Sequence, residues 1–176
     1  MDSFFPNADF FVEFECFDCH IEKLKRNNTP LDFVSVCSPN YLHDSHIRFV
    51  LRRDANVICE KPIVLNPWNI DALEDIEKKG NIYTILQLRH HPSIIALKKK
   101  VEEGDPNKIY DIDLSYLTSR GHWYSMNGEE IEFSGSFTDL HSVSYQHVLV
   151  GTCYRIGDTR QAIEIVHDIR DKEAVA

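Results

Sequence analysis

Three short apolar runs, at 32–37 (Asp-Phe-Val-Ser-Val-Cys), 56–60 (Asn-Val-Ile-Cys-Glu) and 82–88 (Ile-Tyr-Thr-Ile-Leu-Gln-Leu), constrain this chain more than any other feature. Each is rich in β-branched or aromatic residues, and each reads as a buried strand. The segments between them carry a helical period instead. Residues 41–53 place Ile47, Val50 and Leu51 on one face. Pro67 opens a helix in which Ile70, Leu73 and Ile76 keep the period as far as Gly80, and Pro92 opens another that closes at Gly104. Strand, helix, strand, helix, strand at this spacing makes an α/β unit with a parallel sheet and right-handed crossovers.

In such sheets ligands bind beyond the carboxyl ends of the strands. Those ends are Ser38-Pro39-Asn40, Glu60-Lys61-Pro62 and Gln87-Leu88-Arg89, where polar residues collect. The pattern changes near residue 105. Residues 108–118 alternate, with Ile109, Ile112, Leu114, Tyr116 and Thr118 among polar neighbours, which predicts a long strand with one wet face. A short strand at 130–133 is expected to pair with it. Helices are expected over 138–150 and 158–171, the second capped by Asp158 and striped by Ala162, Ile163, Val166 and Ile169. The chain divides on this reading into 1–105 and 106–176.

Composition narrows the partners. Hydrophobic residues make up 43% and charged residues 27%, ordinary values for a globular protein, and the formal net charge is -9. Lys98-Lys99-Lys100 is followed at once by Glu102 and Glu103, so no basic surface for nucleic acid is expected. Asp2, Asp9, Glu13 and Glu15 stand among phenylalanines where an export signal would need a basic region and an apolar stretch. No apolar run approaches the ~20 residues of a membrane span. A membrane partner is therefore not expected. The expected location is the cytoplasm, with the five cysteines at 16, 19, 37, 59 and 153 reduced and partly buried.

Several motifs have a dull reading beside the sharp one. Cys16-Phe17-Asp18-Cys19-His20 has the spacing of c-type haem attachment, yet it also fits a helix over 13–26 that buries Phe14, Phe17, Ile21 and Leu24. We prefer the helix, and no second ligand pair follows to make a zinc site. His43 and His46 share a helical face, and a polar helix surface outweighs a metal pair there. His90-His91 has similar standing but lies near the ligand edge. No metal is expected. Lys61 is the most informative single residue. A lysine just past a buried strand can serve as a general acid or base wherever burial or a nearby positive ring disfavours its ammonium form.

Ser38-Pro39-Asn40-Tyr41-Leu42-His43, followed by Asn56-Val57-Ile58-Cys59-Glu60-Lys61-Pro62, resembles the Gfo/Idh/MocA family of NAD(P)-dependent oxidoreductases. In that family a Pro-x-x-x-His segment beside the dinucleotide leads through a helix to a strand ending in Glu-Lys-Pro. Ile63 to Asn69, Thr84 to Arg89, Phe137 to His141 and Ser144-Tyr145 are similar to one subgroup of it. That subgroup oxidises C3 of UDP-N-acetylglucosaminuronate on the route to diacetamido sugars of lipopolysaccharide O-antigen.

The resemblance implies an α/β fold: a partial Rossmann-like parallel sheet, then a reduced α+β domain with a mostly antiparallel sheet. It implies hydride transfer from C3 of a UDP-linked N-acetylated uronic acid sugar to NAD, with NADP left open, by a homo-oligomer. Ser38, Pro39, Asn40, His43, Glu60 and Gln87 would serve the cofactor. Lys61 would be catalytic and would contact the sugar hydroxyl, with Arg89, Arg120, His122, Trp123 and Tyr124 towards the sugar nucleotide. The family pattern also has two parts that these residues do not supply. One is a glycine-rich turn cradling the pyrophosphate. The other, after Trp123-Tyr124, is a stretch with an Asp or Asn and a His, for which His141 is a poor substitute. The expectations are therefore two: a working dehydrogenase from whose polypeptide parts are omitted here, or a shortened, inactive member acting as a binding or oligomerisation module.

Overall fold

The computed structural model describes residues 5–77, 81–117, 121–135 and 138–172, with the side chains of 116, 117, 121 and 122 outside the described set. In chain order the elements are α1 (Phe14–Arg26), β1 (Phe33–Val36), α2 (His43–Arg52), β2 (Asn56–Cys59), α3 (Pro67–Glu74), β3 (Ile82–Thr84), α4 (Pro92–Glu102), β4 (Ile112–Leu117), β5 (Gly121–Met126), β6 (Glu129–Glu132), α5 (Leu140–Leu149) and α6 (Arg160–Asp171).

Strands β1, β2 and β3 lie side by side in that order, all parallel, with Val36, Cys59 and Thr84 in one row. Successive side chains of a strand point to opposite faces, and both faces here are apolar. Val36, Val57, Cys59 and Ile82 meet Ile47 and Val50 of α2, Ile70 and Leu73 of α3, and Ile163 of α6 in one core. Phe33, Ile58 and Tyr83 look the other way, to Val148 of α5 and Cys153. A parallel sheet covered on both faces explains why its strands read as continuous apolar runs. Beyond the second sheet, α5 and α6 return to cover the parallel sheet.

Several sequence expectations shorten. The alternating strand expected over 108–118 begins only at Ile112. The helix from Pro67 ends at Glu74 rather than near Gly80, and residues 78–80 lie outside the described set. The third strand ends at Thr84 rather than 88. Its neighbour β2 runs out at Cys59, whose carbonyl takes one last N–H from Ile85 at 3.0 Å. With no further backbone to pair with, Gln87–His90 wind into a 3₁₀ turn.

The second sheet is antiparallel, ordered β4-β5-β6. The strand near 130 therefore pairs with β5, not with the long alternating strand, β4. Asn127 and Gly128 explain this, with φ of 53 and 84. Two successive positive φ values form the tight turn that folds a chain back on its preceding strand. Tyr124, Met126 and Phe133 form a third core, against Leu88 and the α4 residues Ile94 and Leu97. The cap of α6 also differs from expectation. Thr159 holds the N-cap position, while the Asp158 carboxylate accepts the Arg155 N–H at 2.7 Å and closes the preceding turn.

Helix α1 forms where the Cys-x-x-Cys-His motif lies, but of its expected apolar face only Ile21 is buried. Phe14 packs against Phe49 of α2 with ring centroids 5.0 Å apart, and Arg53 bridges Asp18 and Glu22. Cys16, Cys19 and Cys37 are exposed, which corrects the expectation of partial burial for these three; Cys59 and Cys153 are buried. Burial, then the neighbouring charges of Glu60 and Cys37, pushes the Cys59 thiol up to about 12, and burial raises Cys153 as well. The thiolate is the reactive form. A disulfide reagent at pH 8 is therefore expected to titrate three thiols rapidly in the native chain and five in urea. Five rapid thiols without urea would contradict the buried positions of Cys59 and Cys153.

Candidate functional site

The carboxyl edge of the parallel sheet gathers most of the expected residues. β1 runs out into Ser38-Pro39-Asn40, which turns at Asn40–Leu42 into α2. β2 runs out into Glu60-Lys61-Pro62, with the Lys61–Pro62 peptide cis. The Glu60 N–H donates to Val36 O at 3.0 Å, so the first step beyond β2 is still tied to β1.

His43 joins these two exits. It is fully buried, with Nδ1 2.7 Å from Pro62 O and Nε2 2.8 Å from Ser38 O. His46 adds a contact of 2.9 Å to the Ser38 hydroxyl. The expectation of a polar helix surface for His43 is thus corrected. It lies beneath the loops and fastens one to the other, because the first turn of α2 faces the sheet.

Above this fastening, Ser38 is half-buried, Pro39 and Asn40 are exposed, Glu60 is half-buried and Lys61 is exposed. From the third strand end come Gln87, half-buried, and Arg89. The Arg89 guanidinium donates to Asp158 O at 3.1 Å and lies 4.9 Å from the centre of the Tyr154 ring. A cleft of about 290 Å³ opens between this edge and α6. Lys61, Thr84, Arg89 and Thr159 are its polar lining; Pro62, Ile63, Leu86 and Ile163 are among its apolar walls. Lys61 and Arg89 therefore share one cleft. Thr84, Thr159 and the α6 residues were missed, because only the return of α6 to the sheet brings them there. Thr84 did leave a signal, a lone hydroxyl on the buried face of an apolar strand.

The substrate residues expected after 118 fare differently. Tyr124 is 3% exposed and lies in the third core, its ring 5.9 Å from that of Phe133. Trp123, on the opposite face of β5, is half-buried. The His122 side chain and Arg120 lie outside the described residues. Among the described residues no three of His, Cys, Asp or Glu cluster as metal ligands, and no helix is long and apolar enough to cross a membrane.

Beside the cleft, His90 stacks on His147 with ring centroids 4.7 Å apart. Burial, then the neighbouring His147, holds the His90 imidazole below the usual histidine value. The unfolded chain thus binds a proton that the folded chain resists. Stability from this group is present above the ordinary value of 6.5 and falls as pH drops through the lower, folded value. Half-buried Glu77, with its carboxyl raised by burial, works in the opposite sense above 4.5. The expected result is a Tm that falls from pH 7 to pH 5 more steeply in the parent than in His90→Phe. Equal slopes would remove His90 from the account.

Polar groups thus collect at the three strand ends. No glycine-rich turn follows β1, β2 or β3 among the described residues to hold a pyrophosphate. Residues 6–87 match the model of the oxidoreductase family with an NAD-binding Rossmann fold, Gfo/Idh/MocA. The fold is similar to that of the WlbA (WbpB) dehydrogenase of Thermus thermophilus, solved with NAD and UDP-GlcNAcA. That likeness has a TM-score of 0.89 and 27% identity, and covers 99% of this chain and 83% of that one. The D-glucoside 3-dehydrogenase of Escherichia coli is 27% identical over 130 residues, which are 72% of this chain and 36% of that protein. The inositol 2-dehydrogenase of Rhizobium meliloti is 26% identical over 92 residues, 51% of this chain and 27% of that protein. The chain thus spans about a third or less of the length of these curated relatives. With its parallel sheet, its Glu-Lys-Pro strand exit and these likenesses, the chain carries over residues 6–87 the NAD-binding Rossmann region described by the Gfo/Idh/MocA oxidoreductase family.

Proposed function

We propose that this chain carries the reacting end of an NAD-dependent sugar-nucleotide 3-dehydrogenase. Its substrate would be a UDP-linked N-acetylated uronic acid sugar. The observation that carries the reading is the end-to-end likeness to an enzyme solved with NAD and UDP-GlcNAcA, together with an exposed Lys61 on the sheet edge where such ligands bind.

When bound, NAD supplies the hydride acceptor. The chain supplies the proton acceptor and the orientation. As the C3–H bond of the sugar gives up its hydride, the C3 hydroxyl proton passes to Lys61 Nζ, and the alcohol becomes a ketone. Glu60 and Gln87 would face the nicotinamide side, with Ser38, Pro39 and Asn40 along the dinucleotide and Arg89 on the substrate side. His43 would set the spacing of the first two loops. The same reading carries a place in O-antigen sugar synthesis, in the cytoplasm and as a homo-oligomer.

A second reading, an inactive binding module, is favoured by the lack of a glycine-rich turn after the described strands. Calorimetry with NAD and UDP-N-acetylglucosaminuronate, followed by NADH absorbance, separates the two. Binding with NADH formation supports the dehydrogenase, binding without it supports the module, and no binding of either ligand overturns both.

A further inference from the structure

Cys16 and Cys19 stand three residues apart in the first half of α1, and both are exposed. The reaction proposed above uses neither. On a helix this spacing sets Cα atoms about 5 Å apart and Cβ atoms about 5–6 Å apart. A disulfide needs Cα atoms about 4.4–6.8 Å apart, but Cβ atoms about 3.5–4.5 Å apart. The backbone is close enough already. Closing the bond means drawing the two Cβ atoms together by about 1–2 Å.

The two sides of the pair can yield unequally. Towards the C-terminus the helix is fixed: Ile21 is buried, and Arg53 at the end of α2 holds Asp18 and Glu22. Towards the N-terminus it is not, because the N-cap residue Glu13 makes no side-chain cap bond. An uncapped first turn leaves its N–H groups without partners and frays first. That turn carries Phe14. Its ring lies parallel to that of His46, with centroids 6.1 Å apart, and also meets Phe49. His46 in turn contacts the Ser38 hydroxyl at 2.9 Å. A line of contacts thus runs from the two thiols to the first loop of the sheet edge.

We infer that Cys16 and Cys19 are a reversible dithiol–disulfide site, whose closure unseats Phe14 from His46 and loosens the Ser38 loop. The oxidant is a low-molecular-weight disulfide such as glutathione disulfide. The thiolate of one cysteine attacks a sulfur of it, forming a mixed disulfide and releasing one glutathione thiolate. The other cysteine gives up its proton and attacks the protein sulfur of that mixed disulfide, releasing the second. Two protein thiols are oxidised to one disulfide, the oxidant is reduced to two thiols, and these take up the protons that the protein loses. An exposed, strained disulfide is a labile one, so excess thiol reopens it. The effect on NAD rests on the dehydrogenase reading above; the bond and its effect on His46 do not.

The test carries Cys37→Ser throughout, which leaves Cys16 and Cys19 as the exposed thiols beside buried Cys59 and Cys153. Treatment with glutathione disulfide is expected to remove two hydrogens from the mass of the monomer. With Cys16→Ser added, it should leave one glutathionyl adduct instead. The ring-proton NMR signals of His46 should shift as the pair closes and return with dithiothreitol. They should stay in place when the Cys16→Ser protein takes its adduct. Kd for NAD, read by calorimetry, should rise about 5-fold or more on closure and hold steady in the Cys16→Ser protein. Two adducts without a bond, or a bond between two chains, overturn the inference. So does a closed bond that leaves the His46 signals in place or, in a protein that binds NAD, leaves Kd unchanged. If the reduced protein binds no NAD, the dehydrogenase reading fails by itself, and the mass and the His46 signals still decide the inference.

Discussion

Lys61→Ala is expected to lower kcat for oxidation of the sugar nucleotide about 100- to 10,000-fold, the usual worth of a positioned proton acceptor. The fold gives the reason for so large an effect. Lys61 stands exposed on the lip of the cleft, and the loop that bears it is tied to the adjoining loop by His43, 2.7 Å from Pro62 O. Removing the amine therefore removes chemistry and little structure, and Tm should move by no more than a surface substitution moves it. Lys61→Arg sharpens the result. A guanidinium keeps the positive charge but cannot give up its proton near neutral pH. If Lys61 accepts the substrate proton, the arginine variant is as inactive as the alanine variant. Activity near the parent level in Lys61→Arg would reduce the role of Lys61 to its charge.

Leu73→Ala is expected to cost about 2–5 kcal/mol of stability, the range for emptying a fully buried leucine site. Leu73 has no exposed surface and sits where α3 meets the parallel sheet and α6. The cavity cannot readily collapse, because α3 is held from both sides: its buried face lies in the core, and Asp71 and Glu74 receive Arg160 of α6 at 2.7 and 2.6 Å. Three residues further on, Ile76 is 38% exposed, and Ile76→Ala should cost only about 1 kcal/mol or less. Urea unfolding of the two variants checks the contrast. Similar midpoints for both would show that α3 is not seated as described.

The first sheet was legible in the sequence because its strands are buried on both faces. Burial demanded the β-branched runs, and the runs named the strands and their ligand edge. Lys61, Arg89 and the loop from Ser38 to Asn40 followed from that edge. What escaped were effects of distant partners. β3 stops at Thr84 because β2 has ended, and His43 is buried because the loops at Ser38 and Pro62 close over it. Neither cause is local. The pairing of β6 was misjudged for the opposite reason, since Asn127-Gly128 is a local turn signal that outranks the more distant β4. Thr84 left a faint signal, a lone hydroxyl in an apolar strand, and the arrival of α6 shows that it lines a cleft.

That arrival also governs how the molecule comes into being. One face of the parallel sheet is closed by Ile156 and Ile163, which the chain reaches only after it has left that sheet and built another. Ile47, Val50, Ile70 and Leu73 cover much of that face from within the first half of the chain, and Ile156 and Ile163 complete the cover from the second half. A protease cut in the antiparallel sheet would therefore not free two sound bodies. It would part a vessel from its lid.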